Sequence, residues 1–249
     1  MKLPSNKIKL IIVDIGKTIF DKEHQTCIDE ELLNLLKDLQ KEGIKIGVCT
    51  MRTIDFCNQL FPFKLDFYIS LNGTLVLCGD KKIIDKRTKN VFLDNPSLTY
   101  GVKKMYYSSE LAQTKAIENG FLTEEKGTLK YPYVITLFNI EEKSLKYFEN
   151  YSLSYWLNTK TLTLQHKDCS KVKAIEKTLM HYGYNDNELL FFGDGPNDLE
   201  VFKRFKYTIM VENGHPCLKE YAFSECFSCL NKGVYRYLEK YKKHLLNKI

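Results

Sequence analysis

Apolar and polar positions alternate along this chain with two different periods, and the switches between them mark its elements. Residues 8–14, "IKLIIVD", are a nearly continuous apolar run closed by a carboxylate, the pattern of a strand buried on both faces. In "IDEELLNLLKDLQKEG" (28–43) the apolar positions 28, 32, 35, 36 and 39 share one helical face. Asp29, Glu30 and Glu31 suit the start of that helix, and Gly43 its stop. A second strand "IKIGVCT" (44–50), a short helix from 53 and a strand "FYISLN" (67–72) follow, and then "GTLVLCGDKKIID" reads as a hairpin turning at Gly79 and Asp80.

Between about 85 and 165 the texture changes to Lys, Tyr, Asn and Ser. The elements there read as a strand "YVITLFN", a helix "EEKSLKYFEN" and strands "LSYWLN" and "TLTLQ". The first rhythm then returns as a helix "SKVKAIEKTLMHYG" (170–183), a strand "ELLFFGD" (188–194), a helix from 196, a strand "KYTIMV" (206–211) and a last helix from about 232. Strands alternating with helices predict a parallel sheet with helical crossovers. The expected organisation is an α/β core made of residues 1–84 and 166–249, interrupted by a smaller α+β domain over 85–165.

Composition narrows the function classes. The 249 residues are 44% hydrophobic and 27% charged, ordinary for a globular protein, and no apolar window approaches the ~20 residues of a membrane helix. The N-terminal apolar run is too short for a signal peptide, so a cytoplasmic protein without a membrane partner is expected. The net charge of +6 is diffuse; it fits an anionic small substrate and gives no basic stripe for nucleic acid. The run "EKYKKHLLNK" reads as the solvated face of the last helix. The 8 cysteines are scattered through predicted elements, which indicates reduced thiols, and the lone "CFSC" (226–229) lacks the second pair a zinc site needs. Oligomeric state is not encoded in any readable feature.

Two glycine motifs suggest nucleotide binding, and both fail. "GKT" at 16–18 would close a Walker A loop only if residue 11 were glycine; it is Ile11, inside an apolar strand that has no free amides for phosphate. "FFGDGPNDLEVF" (191–202) mimics the start of a dinucleotide fingerprint, but Asp194 and Asp198 would repel a pyrophosphate. Two carboxylates at a strand end suit a divalent cation better.

Ligands collect at the carboxyl ends of strands in open parallel sheets. Here those ends carry Asp14, Thr50 and Asp194 with Asp198, while Lys171 opens a returning helix. A nucleophilic carboxylate, a hydroxyl, a cation and a pair of metal-binding carboxylates make a phosphoryl-transfer set. Any one of them alone has a structural reading as a cap, turn or solvated lysine.

In this order the array resembles the haloacid dehalogenase superfamily, specifically the Cof-like capped phosphatases. The resembling segments are "IIVDIGKTIF", "GVCTMRT", "ISLNGTLV", "CSKVKAIEKTL", "FFGDGPNDLEVF", "MVENGHPCLKEYA" and "NKGVYRYLEKY". The resemblance implies a Rossmann-like core with an inserted cap that sets specificity, and Mg²⁺-dependent hydrolysis of a small phosphorylated metabolite such as a sugar phosphate. It makes Asp14 the nucleophile that becomes an aspartyl-phosphate, and gives Asp194, Asp198 and the main-chain carbonyl of Gly16 to the metal. Thr50, the backbone around Met51 and Asn197 would hold the phosphate, with Lys171 offsetting the gathered charge. Arg52, Asn72 and Asn213 match positions near the site.

One position departs from the resemblance. The family's first motif is DxDGT, whose second Asp protonates the leaving group and later activates water; here it is Gly16, followed by Lys17. General acid–base catalysis contributes about 10²–10⁴-fold, so alkyl phosphates should react slowly unless another group replaces the acid. The replacement could come from the cap or from Asp21, Glu23 or His24; the substrate could need no acid; or the chain could be a phospholigand-binding protein. Lys17 reads as a solvated lysine rather than a phosphate contact. Tyr106, Tyr107, Tyr131, Tyr133 and Trp156 read as core rather than pocket lining.

Overall fold

The computed structural model describes residues 8–90, the backbone of 104–107, and 131–246. Among these residues twelve strands form two sheets. The larger contains β1 (Leu10–Val13), β2 (Lys45–Cys49), β3 (Phe67–Ser70), β4 (Leu75–Cys78), β5 (Lys81–Asp85), β10 (Leu189–Gly193), β11 (Thr208–Val211) and β12 (Ser224–Cys226). Its order is β12-β11-β10-β1-β2-β3-β4-β5. Pairing is parallel from β12 through β3 and antiparallel at the β3-β4 and β4-β5 edge. The smaller sheet, β6 (Lys104–Tyr107), β7 (Val134–Leu137), β8 (Tyr151–Trp156) and β9 (Thr161–His166), is antiparallel in the order β6-β7-β9-β8.

Helices cover both faces of the large sheet, which explains its unbroken apolar strands. Alternate residues of β1 enter different clusters: Ile11 and Val13 pack with α1 (Glu30–Lys41) and α5 (Gly233–Leu245), and Leu10 and Ile12 with α3 (Lys171–Tyr182) and α4 (Leu199–Arg204). The α1 face predicted from spacing is the buried one, with Leu32, Leu35, Leu36 and Leu39 inside. Asp29 caps it by accepting the Leu32 N–H at 3.1 Å, and Gly43 supplies the left-handed turn after it, φ +97°.

Several expectations change in detail. Residues 142–148 form a 3₁₀ helix rather than an α-helix, and Phe148 is its buried residue; a segment with so little apolar face gains little from a longer helix. β12 escapes sequence reading because only Cys226 of its three residues is buried. Cys226 ends that strand and Cys229 opens the next 3₁₀ turn, and none of the 8 cysteines is in a disulfide. Leu245 of the basic C-terminal run is buried while Lys243 and His244 beside it are exposed. Among the described residues, no helix is long and apolar enough to cross a membrane.

Candidate active site

β1 is flanked by β10 on one side and β2 on the other, so the residues that follow these strands meet at one edge. Asp14 follows β1, Thr50 follows β2 and Asp194 follows β10. The first turn of α3 brings Lys171 under them. Its Nζ lies 3.2 Å from Asp14 Oδ1 and 2.6 Å from Asp198 Oδ1, with the lysine 4% exposed and Asp198 fully buried. Asp198 also accepts the backbone N–H groups of Asp194 at 3.2 Å and Gly195 at 3.1 Å through Oδ2. Gly193 makes room for this arrangement, because a Cβ there would stand 2.7 Å from Asp198 Oδ2.

Carboxylate oxygens of Asp14, Asp194 and Asp198 lie within 4.8 Å of one another. Burial, chiefly, together with the Asp14 and Asp198 charges, pushes the Asp194 carboxyl up to about 8. Burial and the Asp198 charge raise Asp14 to about 6 against the opposing pull of Lys171. Burial by itself would lower the Lys171 ammonium, but the Asp14 and Asp198 charges hold it above its ordinary range. A single lysine therefore leaves the three carboxylates short of positive charge. A hard divalent cation with oxygen ligands fits this donor set and would supply what is missing.

The cleft above the cluster, about 590 Å³, is lined by Asp14, Gly16, Lys17, Thr50, Met51, Arg52, Trp156, Asp194, Asn197, Asn213 and His215, among others. The Thr50 hydroxyl accepts the Arg52 N–H at 3.2 Å, which leaves its own proton free to donate. The Arg52 guanidinium lies 5.2 Å from the Phe56 ring centroid. Asn213 does not offer its amide N–H to the cleft as a free donor; it donates to the Lys17 carbonyl at 2.9 Å. That bond steadies Lys17, whose φ of +57° is left-handed. Lys17 is exposed at the rim of the cleft. Asn72 stands apart, lining a neighbouring cavity.

Sequence reasoning missed Thr18 and His215 and assigned Trp156 to the core. Thr18 is fully buried and donates to Asp194 Oδ1 at 3.0 Å; its signal was its place as the threonine that closes the segment "DIGKT". His215 anchors the site through its main chain, donating N–H to the Asp194 carbonyl at 2.6 Å. Trp156 lines the cleft, whereas Tyr133 is core, with its hydroxyl donating to Asp85 at 2.8 Å, and Tyr131 is exposed. The side chains of Tyr106 and Tyr107 lie outside the described residues. Asp21, Glu23 and His24 do not line the cleft: Asp21 accepts the Glu23 N–H and pairs with His24, contacts that hold its carboxyl below its ordinary range.

Comparison with known proteins agrees with this architecture. A family model for haloacid dehalogenase-like hydrolases matches residues 11–238. The chain is 25% identical to a Streptococcus pyogenes protein named as a bifunctional phosphatase/peptidyl-prolyl cis-trans isomerase, over 89% of this chain and 51% of that one, so it spans about half of that relative. It is 20% identical to phosphoglycolate phosphatase 1 of Saccharolobus solfataricus, over 95% of this chain and 96% of the relative. Its fold is that of the sugar phosphatase BT4131, of HAD subclass IIB, with a TM-score of 0.75 at 18% identity over 94% of this chain and 99% of the other. With most of its length matched by the family model and its acidic cluster at the strand ends, the chain belongs to the haloacid dehalogenase-like hydrolase family.

Proposed function

We propose that this protein is a Mg²⁺-dependent phosphohydrolase of small phosphorylated metabolites that works through an aspartyl-phosphate at Asp14. The pairing of the buried Lys171 with Asp14 and Asp198, with Asp194 beside them at the carboxyl ends of β1 and β10, carries this reading. Bound Mg²⁺ would neutralise the carboxylates and the substrate phosphate, held by Asp14, Asp194, Asp198 and the Gly16 carbonyl. Thr50, the backbone around Met51 and Asn197 would orient the phosphate. Lys171 keeps the nucleophile fixed and ionised by opposing the burial that favours its protonated form. An Asp14 carboxylate oxygen then bonds to phosphorus while the ester oxygen leaves with its electron pair, and water later cleaves the acyl phosphate.

Gly16 puts no carboxyl beside the leaving oxygen, and Asp21 and Glu23 do not line the cleft. Good leaving groups are therefore favoured over alkoxides. The same absence favours a second reading, a phospholigand-binding protein that retains the phosphate and metal site with little turnover. The region between the first and second core segments, 85–165, would act as the cap.

Phosphate release from an aryl phosphate and a hexose phosphate, with Mg²⁺ and with EDTA, tests both readings. The expected result is metal-dependent turnover, faster for the aryl ester, that Asp14→Asn reduces to background. Turnover surviving that change sinks the nucleophile assignment; no turnover of either ester, with inorganic phosphate still bound, selects the binding protein.

A further inference from the structure

Trp156, the only tryptophan of the chain, ends β8, which stands at the edge of the small sheet. Successive strand residues point to opposite sides. On one side Tyr151 and Tyr155 pack against the cluster of Ile135, Leu137, Leu162 and Leu164. Trp156 therefore falls on the other side, with Ser152 and Ser154. Polar residues fill that side, and on β9 its Thr163 and Gln165 are 0% and 2% exposed. A large ring among them has no apolar cluster to join. Trp156 is half-buried, and among the described residues no second ring and no cation stacks on its indole.

The indole lines the same cleft as Asp14 and Asp194, and Met51, Pro196 and Pro216 add apolar surface to that lining. The cleft therefore has two characters: carboxylates at the strand ends that call for a metal and a phosphate, and beside them an aromatic face with a thioether and two proline rings. An aromatic face and a thioether favour a flat, polarisable ring. A cleft of about 590 Å³ has room for a phosphate and such a ring. Gly16 points the same way by an independent route. With no carboxyl there to protonate the departing oxygen, the leaving group has to carry its own negative charge. An aryl oxygen does so, because its ring delocalises the charge and a phenol ionises near ~10; the alkoxide of an alkyl ester has no such outlet.

We propose that the substrate is the phosphate monoester of an aromatic hydroxyl, on a phenol or a heteroaromatic ring, and that this ring stacks on Trp156 while the phosphate sits at Asp14. The assignment rests on the phosphohydrolase reading and adds to it the class of the leaving group and the residue that selects it. An Asp14 carboxylate oxygen bonds to phosphorus as the bond from phosphorus to the aryl oxygen breaks. That oxygen leaves with the electron pair as a phenolate and takes its proton from water after departure.

The test compares para-nitrophenyl phosphate with acetyl phosphate, which also has a good leaving group but no ring, on the wild type, Trp156→Leu and Trp156→Phe in the presence of Mg²⁺. The ratio of aryl to acetyl kcat/KM should fall by about five- to tenfold in Trp156→Leu, mostly through KM, and stay within about twofold in Trp156→Phe, which keeps a ring. In the Asp14→Asn background, para-nitrophenyl phosphate should quench the Trp156 emission saturably, and inorganic phosphate should reverse the quenching by competition. That measurement needs no change at Trp156 and decides the matter if Trp156→Leu does not fold. An unchanged ratio in a cooperatively melting Trp156→Leu, with Asp14-dependent turnover of both esters, overturns the stacking site and leaves the phosphohydrolase reading standing. Emission that stays constant while calorimetry shows the aryl ester bound overturns it as well. Saturable, phosphate-reversible quenching without Asp14-dependent turnover of either ester would sink the phosphohydrolase reading and leave the aromatic site in place.

Discussion

Among the described residues, two clusters bring three ligand-type side chains within 4.8 Å of one another, Asp14–Asp194–Asp198 and Asp21–Glu23–His24. Asp14 of the first stands close in sequence to Asp21 of the second, and the two clusters respond in opposite ways. In the first, burial raises Asp14 to about 6 and Asp194 to about 8. In the second, a backbone N–H and His24 hold Asp21 low, and water reaches Glu23 and His24. Proximity of acids is thus common to both, and desolvation separates them. Only the buried cluster carries an unmet demand for positive charge, which is what a metal and a phosphate ester can use.

The sharpest way to probe the buried cluster is to give it the carboxyl it lacks. A Cβ at Gly16 would meet nothing within 4 Å, and its φ is not left-handed, so Gly16→Asp is accommodated without strain. Hydrolysis of a hexose phosphate should rise by about 10²–10⁴-fold while the aryl ester gains little, as expected of an added general acid. A gain of equal size on both substrates would point to improved binding instead, and no gain in a folded protein would show that another group already donates the proton.

Removing the cation probes the same contrast through stability. Lys171→Met strands the Asp14 and Asp198 carboxylates in the interior, and breaking a buried ion pair from one side costs about 3–5 kcal/mol. Urea denaturation of the metal-free protein should show that loss, while His24→Ala, at the exposed cluster, should leave the midpoint where it was. Equal effects at both places would mean that water reaches the buried cluster as freely as the exposed one.

How much of this could be read beforehand follows from the same physics. Strand ends and the helix carrying Lys171 were readable because an apolar run that stops at a carboxylate is a strong local signal. Asp14, Thr50, Asp194 and Asp198 were therefore placed at one edge from sequence. Thr18 and His215 were not, because one acts through a single buried hydroxyl and the other through its main chain, and neither leaves a periodic trace. The small sheet shows the limit more clearly. "TLTLQ" reads correctly as a strand, but alternation says only that two faces differ, and by habit assigns Thr163 and Gln165 to water. Their burial depends on what another part of the chain lays over them, which no local pattern records.

The smallest effect separates the two clusters most directly. In EDTA, the folded chain keeps protons on Asp14 and Asp194 at pH values where an unfolded carboxyl, ionising near ~4, has released them. Stability should therefore fall as pH rises from about 4 through about 6 and 8, the values to which these groups are raised, and level off above. Asp21 acts with the opposite sign: held low, its contribution is present above the ordinary carboxyl range and is lost as pH falls below it. Mg²⁺ binding only the folded state at about 100 times its Kd adds about 2.7 kcal/mol. It also displaces the extra protons, so melting curves from pH 5 to 9 should shift upward by several degrees and lose most of their slope. Asp21→Asn should leave that Mg²⁺ shift intact, whereas Asp194→Asn should remove it. If instead Asp21→Asn abolished the shift, the cation would belong to the exposed cluster, and desolvation would not be what selects the site.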